Sequence, residues 1–307
     1  MALLADITKA HARLGANLRG ALWMVASAFT FTLMTTLIKY LGADYSAALQ
    51  TFYRQIAACI VLAPFIAGDP IGAFRTTRPG ILLFRSLAGT FGTILSFWVF
   101  QVMPLGEANA LSFTRTLWIV PLAIFVLREY VGPWRIGATL VGFAGTLLIL
   151  QPAVANDAGW PAAAALAAAF LFSLTIAGMK VVTRDHSVMT LTVWSAFLGL
   201  VLSLPLALME WRWPTLQDLA LLAAMGVLGL VNQYCYIKGM AIGDAAAMAP
   251  IDYTRLIFAV IIGFLIFHEI PNLVTMLGAA IVIGATLVIT LREARLKPRP
   301  DPAAPSP

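Results

Sequence analysis

The chain has 307 residues, of which 61% are hydrophobic and 11% are Asp, Glu, Lys or Arg, with a formal net charge of +6. A soluble globular domain carries about 25% charged residues, so most of this chain cannot face water and a solvated fold is excluded. Residues 1–19 form a basic, weakly amphipathic head that suits an anionic membrane surface, and their apolar part is too short and too charged for a cleavable signal.

Crossing the hydrocarbon core takes about 20 mostly apolar residues. Ten runs meet that requirement, at 20–41, 47–67, 82–103, 105–127, 134–151, 160–180, 189–209, 217–238, 245–267 and 273–291. Turn formers separate them, among them Gly68-Asp69-Pro70, Thr77-Arg78-Pro79-Gly80, Gly132-Pro133, Asn156-Asp157-Ala158-Gly159 and Ile270-Pro271-Asn272. Runs this long between breakers predict an all-α membrane protein with ten transmembrane helices and exclude a transmembrane β-barrel. Residues 292–307, with Lys297-Pro298-Arg299-Pro300, form a tail not expected to order.

The basic residues predict the orientation. With a cytoplasmic N-terminus, inner segments hold fifteen Lys and Arg residues and outer segments hold Lys39 and Arg212. Both termini are therefore expected in the cytoplasm, and the positive charge marks topology, with no nucleic-acid partner implied. Those seventeen leave Arg54, Arg115 and Arg255 of the twenty Lys and Arg residues, each inside a span.

Two segments about 140 residues apart read alike. Met103-Pro104-Leu105-Gly106-Glu107 answers to Met240-Ala241-Ile242-Gly243-Asp244, and Arg115 with Glu129 answers to Arg255 with Glu269 at the same separation of fourteen. Lys39 with Lys180, Pro64 with Pro205 and Thr146 with Thr286 keep that register within a residue. The expected organisation is a duplication, 20–151 and 156–291. Five helices per half is an odd number, so the halves enter the bilayer in opposite senses, the inverted-repeat plan of secondary transporters.

Phe52-Tyr53-Arg54, Thr77-Arg78-Pro79 with Phe84-Arg85, the stretch from Met103 to Glu129 and the stretch from Ala241 to Pro271 carry a resemblance. Over about Gly20 to Leu291 the chain resembles the drug/metabolite transporter superfamily, in its ten-helix EamA branch of bacterial carriers. That resemblance implies the bacterial inner membrane, a central cavity lined by the first, third and fourth helices of each half, small organic metabolites as substrates, and no nucleotide-driven step. The paired intramembrane arginines look most like carriers for S-adenosylmethionine and related cofactors. Similar ten-helix proteins export amino acids, including aromatic ones.

An arginine at membrane depth costs about 2.5–3.5 kcal/mol on insertion scales, so each must meet a cavity or a partner. Arg115 is expected to contact substrate, the competing role being to bond carbonyls freed near Pro121. Asp252 precedes Arg255 by three residues and is expected to neutralise it, whereas Ser112 stands at the matching place before Arg115. Arg115 is therefore the arginine expected to meet a substrate carboxylate. Arg54, about seven residues into its span, is near enough to the outer end to snorkel. Glu129 and Glu269, each just before a proline that can open a helix, are expected to cap those helices, and Pro121 and Pro250 to kink their spans. Trp23, Trp98, Gln101, Trp118, Tyr236 and Tyr253 are cavity candidates with packing or interfacial roles as the alternative. The adjacent amides Asn232 and Gln233 are the strongest of the polar set, since amides in an apolar run are costly unless used.

An intramembrane enzyme lacks residues for it: His11, His186 and His268 lie outside the middle of any span, and Asn272 stands where the pattern opened by His268-Glu269 needs its second histidine. Cys59 and Cys235 have no metal-like spacing, so neither metal nor cofactor is expected. Asp252 is the candidate carboxylate at depth, and its expected pairing favours a facilitator or exchanger over a proton symporter. The expected function is secondary transport by alternating access, with export of hydrophobic or aromatic amino acids in the lead. Uptake of a cofactor-like metabolite of the S-adenosylmethionine or riboflavin type is the alternative and a channel-like pore a further one. The partners are a small molecule and the lipid bilayer; the oligomeric state is open, and a monomer would suffice.

Overall fold

The computed structural model describes residues 16–125, 132–155, 159–182, 188–242, 248 and 251–296, which contain helices and connecting turns and no strand. In chain order the helices are α1 (Ala16–Leu41), α2 (Ala47–Gly68), α3 (Pro70–Phe74), α4 (Pro79–Val102), α5 (Leu105–Ser112), α6 (Arg115–Phe125), α7 (Pro133–Ala155), α8 (Gly159–Val182), α9 (Val188–Met209), α10 (Leu216–Ile242), α11 (Thr254–Phe267) and α12 (Leu273–Leu296). Their starts follow local chemistry. Pro70, Pro79 and Pro133 open α3, α4 and α7, where a missing N–H costs nothing. The side chains of Ser46, Thr215 and Asn272 accept the first free amides of α2, α10 and α12.

Eight segments are long and apolar enough to cross a membrane, α5 and α6 counting as one, while α11 and Leu273–Ile289 of α12 are shorter apolar helices. The predicted run 105–127 is divided at Phe113–Thr114 into two helices, a break that hydropathy does not register. The run 245–267 begins its described helix at Thr254. Glu129, Asp244 and Pro250 lie outside the described residues.

Packing pairs α1 with α10 and α4 with α8, α2 with α9, and α7 with α12, while α5 and α6 lie along α8 and α11 along α1. Where α7 meets α12, a Cβ on Gly278 would stand 2.7 Å from the Gly145 carbonyl oxygen, so two glycines set the helix separation. Thr146 and Thr286 beside them return their hydroxyls to their own helices, bonding the carbonyls of Gly142 and Val282. The packing is not fully symmetric: α4 lies against both α1 and α2, whereas α10 has no comparable packing on α8 or α9 among the described residues. The main core, built on Ile38, Leu49, Leu105, Leu111 and Leu117, surrounds the middle of the bundle and the end that carries Lys39.

Gly278→Leu is expected to force α7 and α12 apart, overpacking of this kind costing about 1–3 kcal/mol. A lower thermal unfolding midpoint of the detergent-solubilised protein is the expected reading; an unchanged midpoint would show that the close approach does not hold the pair.

Candidate functional site

The break between α5 and α6 builds the site. Phe113 and Thr114 donate their amides three residues back, to Ala110 and Leu111, and Thr116 and Leu117 do the same to Phe113 and Thr114. The α-helical bonding tightens to a three-residue turn at this point, and Arg115 opens a fresh helix in the middle of the apolar segment. Sequence Asp252-Tyr253-Thr254-Arg255 repeats Ser112-Phe113-Thr114-Arg115, and the local chemistry repeats with it. Thr114 and Thr254 bond the carbonyls of Leu111 and Ile251 at 2.6 and 2.7 Å, and Leu256 donates to Tyr253. The break thus falls before each arginine, seven residues or more ahead of Pro121, which sits inside α6. Proline was the expected cause of irregular backbone here; the threonine turns take that role.

Each arginine is held by the opposite segment. Arg255 donates to Ser112 Oγ at 3.0 Å and lies over the rings of Phe113 and Phe31, at 4.0 and 5.0 Å from their centroids. Arg115 faces Asp252 at 3.8 Å. The direct ion pair is made across the segments, from Asp252 to Arg115, while the Asp252 charge still acts on Arg255 as expected; Ser112, the position that seemed to leave Arg115 unsupported, supports Arg255. The rings of Phe113 and Tyr253 touch in a tilted contact, with centroids 4.6 Å apart.

These groups line a cavity of about 620 Å³. Ser27, Phe31 and Arg54 join them from α1 and α2, Asn232, Gln233 and Tyr236 from α10, and Met24, Ile176 and Met240 extend it toward the end of the bundle that carries Ala16 and Ile242. Ser27 donates to both the main-chain and side-chain oxygens of Asn232, at 3.2 and 3.3 Å, tying α1 to α10. Of the expected cavity residues, Arg115, Asp252, Tyr253, Arg255, Asn232, Gln233 and Tyr236 converge here, and Ser112 lines a smaller chamber of about 240 Å³ behind it.

Four expected cavity residues lie elsewhere. Trp23 packs edge-on against Tyr234 between α1 and α10. Trp118 is wedged between Phe143 and Phe170, joining α6 to α7 and α8. Trp98 and Gln101 sit at the Lys39 end, where Gln101 donates to the Tyr45 carbonyl. Their aromatic or amide chemistry suited a pocket, but their positions on the helices turn them outward or into a neighbour. Ser27, Phe31 and Phe113 are among the cavity residues that sequence reasoning missed; for Phe113 the available signal was its place beside a Thr-Arg pair that recurs after Tyr253.

The Lys39 end is closed by charge. Lys39 forms an ion pair with Glu269, donates to the Met103 carbonyl at 2.6 Å, and lies over the Phe267 ring. Glu269 also accepts the amide of Leu105, the first residue of α5, at 2.8 Å, a carboxylate at the positive end of a helix. Glu269 was expected to cap the helix that follows it, but Asn272 caps α12 and Glu269 caps α5. A left-handed turn at His268, φ 54°, brings Glu269 back over α11. A Cβ on Gly263 would stand 2.9 Å from the carboxylate, so only glycine leaves it room. Around this pair, Tyr45 donates to Asp218 at 2.8 Å and Arg212 bonds Asp44 at 2.7 Å. Burial, with the Asp218 carboxylate beside it, pushes the Tyr45 phenol up.

A family model described as the EamA-like transporter family matches the chain twice, at residues 18–151 and 159–291. The chain is 32% identical over 276 residues to an S-adenosylmethionine uptake transporter of Rickettsia prowazekii, covering 90% of this chain and 94% of that protein. It is also 32% identical over 286 residues to a riboflavin transporter of Rhizobium johnstonii, covering 92% and 94%. A solved crystal structure, 20% identical, superposes with a TM-score of 0.60 over 92% of this chain and 98% of its own, which shows a shared fold.

A double-mutant cycle on Lys39→Met and Glu269→Gln is expected to give a coupling energy of about 1–3 kcal/mol in denaturant unfolding, because either single change leaves a half-buried charge without its partner. Additive effects would show that the two side chains do not close this end together.

Proposed function

The chain belongs to the EamA-like transporter family, a family of membrane transporters and not of enzymes, and from that premise we propose that it takes up a cofactor-like metabolite with a planar heteroaromatic ring. The relatives named for S-adenosylmethionine and riboflavin favour this substrate class over export of amino acids, the lead expectation from sequence. The observation that carries the reading is the cavity itself. Its 620 Å³ lies within the range of small-molecule sites, about 300–1,000 Å³, and its deep end is a stack of Phe31, Arg255 and Phe113 with Tyr253 beyond. Guanidinium and ring faces of that kind accept a flat aromatic system.

The proposed mechanism is alternating access between two inverted five-helix halves, ten crossings in all, with both termini in the cytoplasm of a bacterium and the chain in its inner membrane. The paired packing supports the inverted halves: exchanging the first five spans for the last five turns α1 on α10 into α8 on α4, α2 on α10 into α9 on α4, and leaves α2 on α9 and α7 on α12 unchanged. Phe113 and Tyr253, matching positions of the two halves, touch each other with their rings tilted at 54°, as residues near a two-fold axis do. With this orientation the structure corresponds to an inward-facing carrier. Lys39 and Glu269 shut the outer end, while among the described residues α10 has little packing on α8 or α9, which supports a cavity open inward. A pore needs both ends open at once; a carrier does not.

Asp252 shares Arg115, so its carboxylate serves to hold the two halves together in the inward-facing state. Asp252→Asn is expected to retain substrate counterflow in proteoliposomes with a changed half-saturation, whereas Arg115→Ala abolishes it. Loss of gradient-driven uptake with intact counterflow in Asp252→Asn would make this carboxylate a proton-coupling group instead. The function itself is tested by counterflow against S-adenosylmethionine, riboflavin and a set of amino acids. Saturable exchange confined to the ring-bearing compounds is expected; exchange confined to amino acids would overturn the substrate class, and flux without saturation would overturn the carrier.

A further inference from the structure

Arg54 differs from the other two intramembrane arginines. Arg255 has Ser112 and two rings, and Arg115 has Asp252, but Arg54 makes no hydrogen bond or ion pair among the described residues. Its guanidinium lies 5.6 Å over the Phe97 ring, and its Nε is buried without a partner. Snorkelling to the outer surface was the sequence expectation. The side chain instead borders all three internal chambers, the 620 Å³ cavity, the 240 Å³ chamber behind it, and a side lobe of about 280 Å³ between α2, α4, α8, α9 and α10.

The side lobe has a chemistry of its own. Arg54 and Arg85 both border it, and among the described residues its lining includes no Asp or Glu. Arg85 donates to Ser195 Oγ at 2.7 Å and so is held toward α9. The hydroxyls of Ser86, Thr90 and Thr93 stand along α4 on the same chamber, the Ser86 Oγ buried with no hydrogen-bond partner. The unpartnered Arg54 guanidinium and the free Ser86 hydroxyl, with no carboxylate among the described lining residues, form a receptor for an oxyanion, which arginine binds through paired N–H donors. The lobe joins the main cavity through Arg54, Gln233 and Gly229, which line both. A Cβ at Gly229 would stand 3.2 Å from Met34 Sδ and 4.0 Å from Arg54 Nη1, so the bare glycine keeps this passage open.

We propose that the side lobe is an oxyanion subsite, in which Arg54, with Arg85 behind it, receives the carboxylate or phosphate of a substrate whose ring lies in the main cavity. The proposal rests on the substrate class given above and narrows it: a bipartite metabolite, ring at one end and oxyanion at the other, is preferred over its uncharged counterpart.

Binding is tested first without any presumed substrate, by titrating the purified full-length protein with inorganic phosphate and following thermal unfolding. Stabilisation is expected in the wild type and in Arg54→Lys, and its loss in Arg54→Gln; absence of stabilisation in the wild type, or its persistence in Arg54→Gln, overturns the subsite. Counterflow then compares matched pairs, riboflavin with its 5′-phosphate and S-adenosylmethionine with its decarboxylated form, which separate phosphate from carboxylate. The anionic member of one pair is expected to be preferred by about tenfold or more, the worth of one charge-assisted hydrogen bond. That preference should shrink to within about twofold in Arg54→Gln and in Gly229→Val, which keeps the arginine but narrows the passage. Equal exchange of both members by the wild type, or a preference untouched by Arg54→Gln, also overturns it. If phosphate stabilises the protein through Arg54 but neither ring compound is exchanged, the subsite stands and the substrate class falls.

Discussion

A guanidinium ion in the middle of a membrane is the constraint on which this structure turns. Three of them lie inside spans, and none can be neutralised by deprotonation at physiological pH. The fold answers by interrupting the helices just before Arg115 and Arg255, so that each charge starts a new helix beside polar groups instead of lying along an apolar face. It then lends each one a ligand from the facing segment, Ser112 or Asp252. The cavity follows from the same need, because a charge with one partner at 3.8 Å, or with none, requires polar space around it. Site and solvation are here one arrangement: the groups that make the arginines tolerable are those that make a small-molecule chamber.

The closed end obeys the same rule by a different route. Lys39 and Glu269 neutralise each other, and the remaining valences of both go to backbone, a carbonyl for the lysine and a helix amide for the glutamate. An ion pair satisfied in this way excludes water where the cavity admits it. Polar atoms at the two levels therefore do opposite work, and the difference lies in whether their hydrogen bonds are completed inside the protein.

Most of the architecture was legible because lipid enforces it. Apolar run length located the helices to within a few residues over much of the chain, and the recurrence of charges at one spacing located the two arginines that face each other. What escaped was pairing. A one-dimensional reading sets Asp252 beside Arg255 because they share a helix face, and only the folded packing shows that Arg115 is nearer a usable geometry. Glu269 was misassigned for a similar reason: the left-handed turn at His268 folds it back to a helix more than 160 residues earlier in sequence. The aromatic candidates were sorted by helical phase, which composition does not reveal; Phe113 faces the arginines while Trp118, five residues on, faces α7 and α8.

The closure at the Lys39 end is thin. Along α1 only five residues separate Met34, which borders the cavity, from Lys39, about 7–8 Å of helix rise. A hydrated chamber lined by cations holds the electrical potential of the compartment it opens to, so the transmembrane voltage falls across this short plug and not across the full thickness of the hydrocarbon. A charged solute that settles beside Arg115 has by then traversed little of the electric field. On the alternating access proposed above, the roughly 2.3 kcal/mol per charge per 100 mV is exchanged instead when the closure moves to the opposite face. In a carrier of the proposed kind, membrane voltage acts on the reorientation of the loaded protein and leaves solute affinity almost untouched.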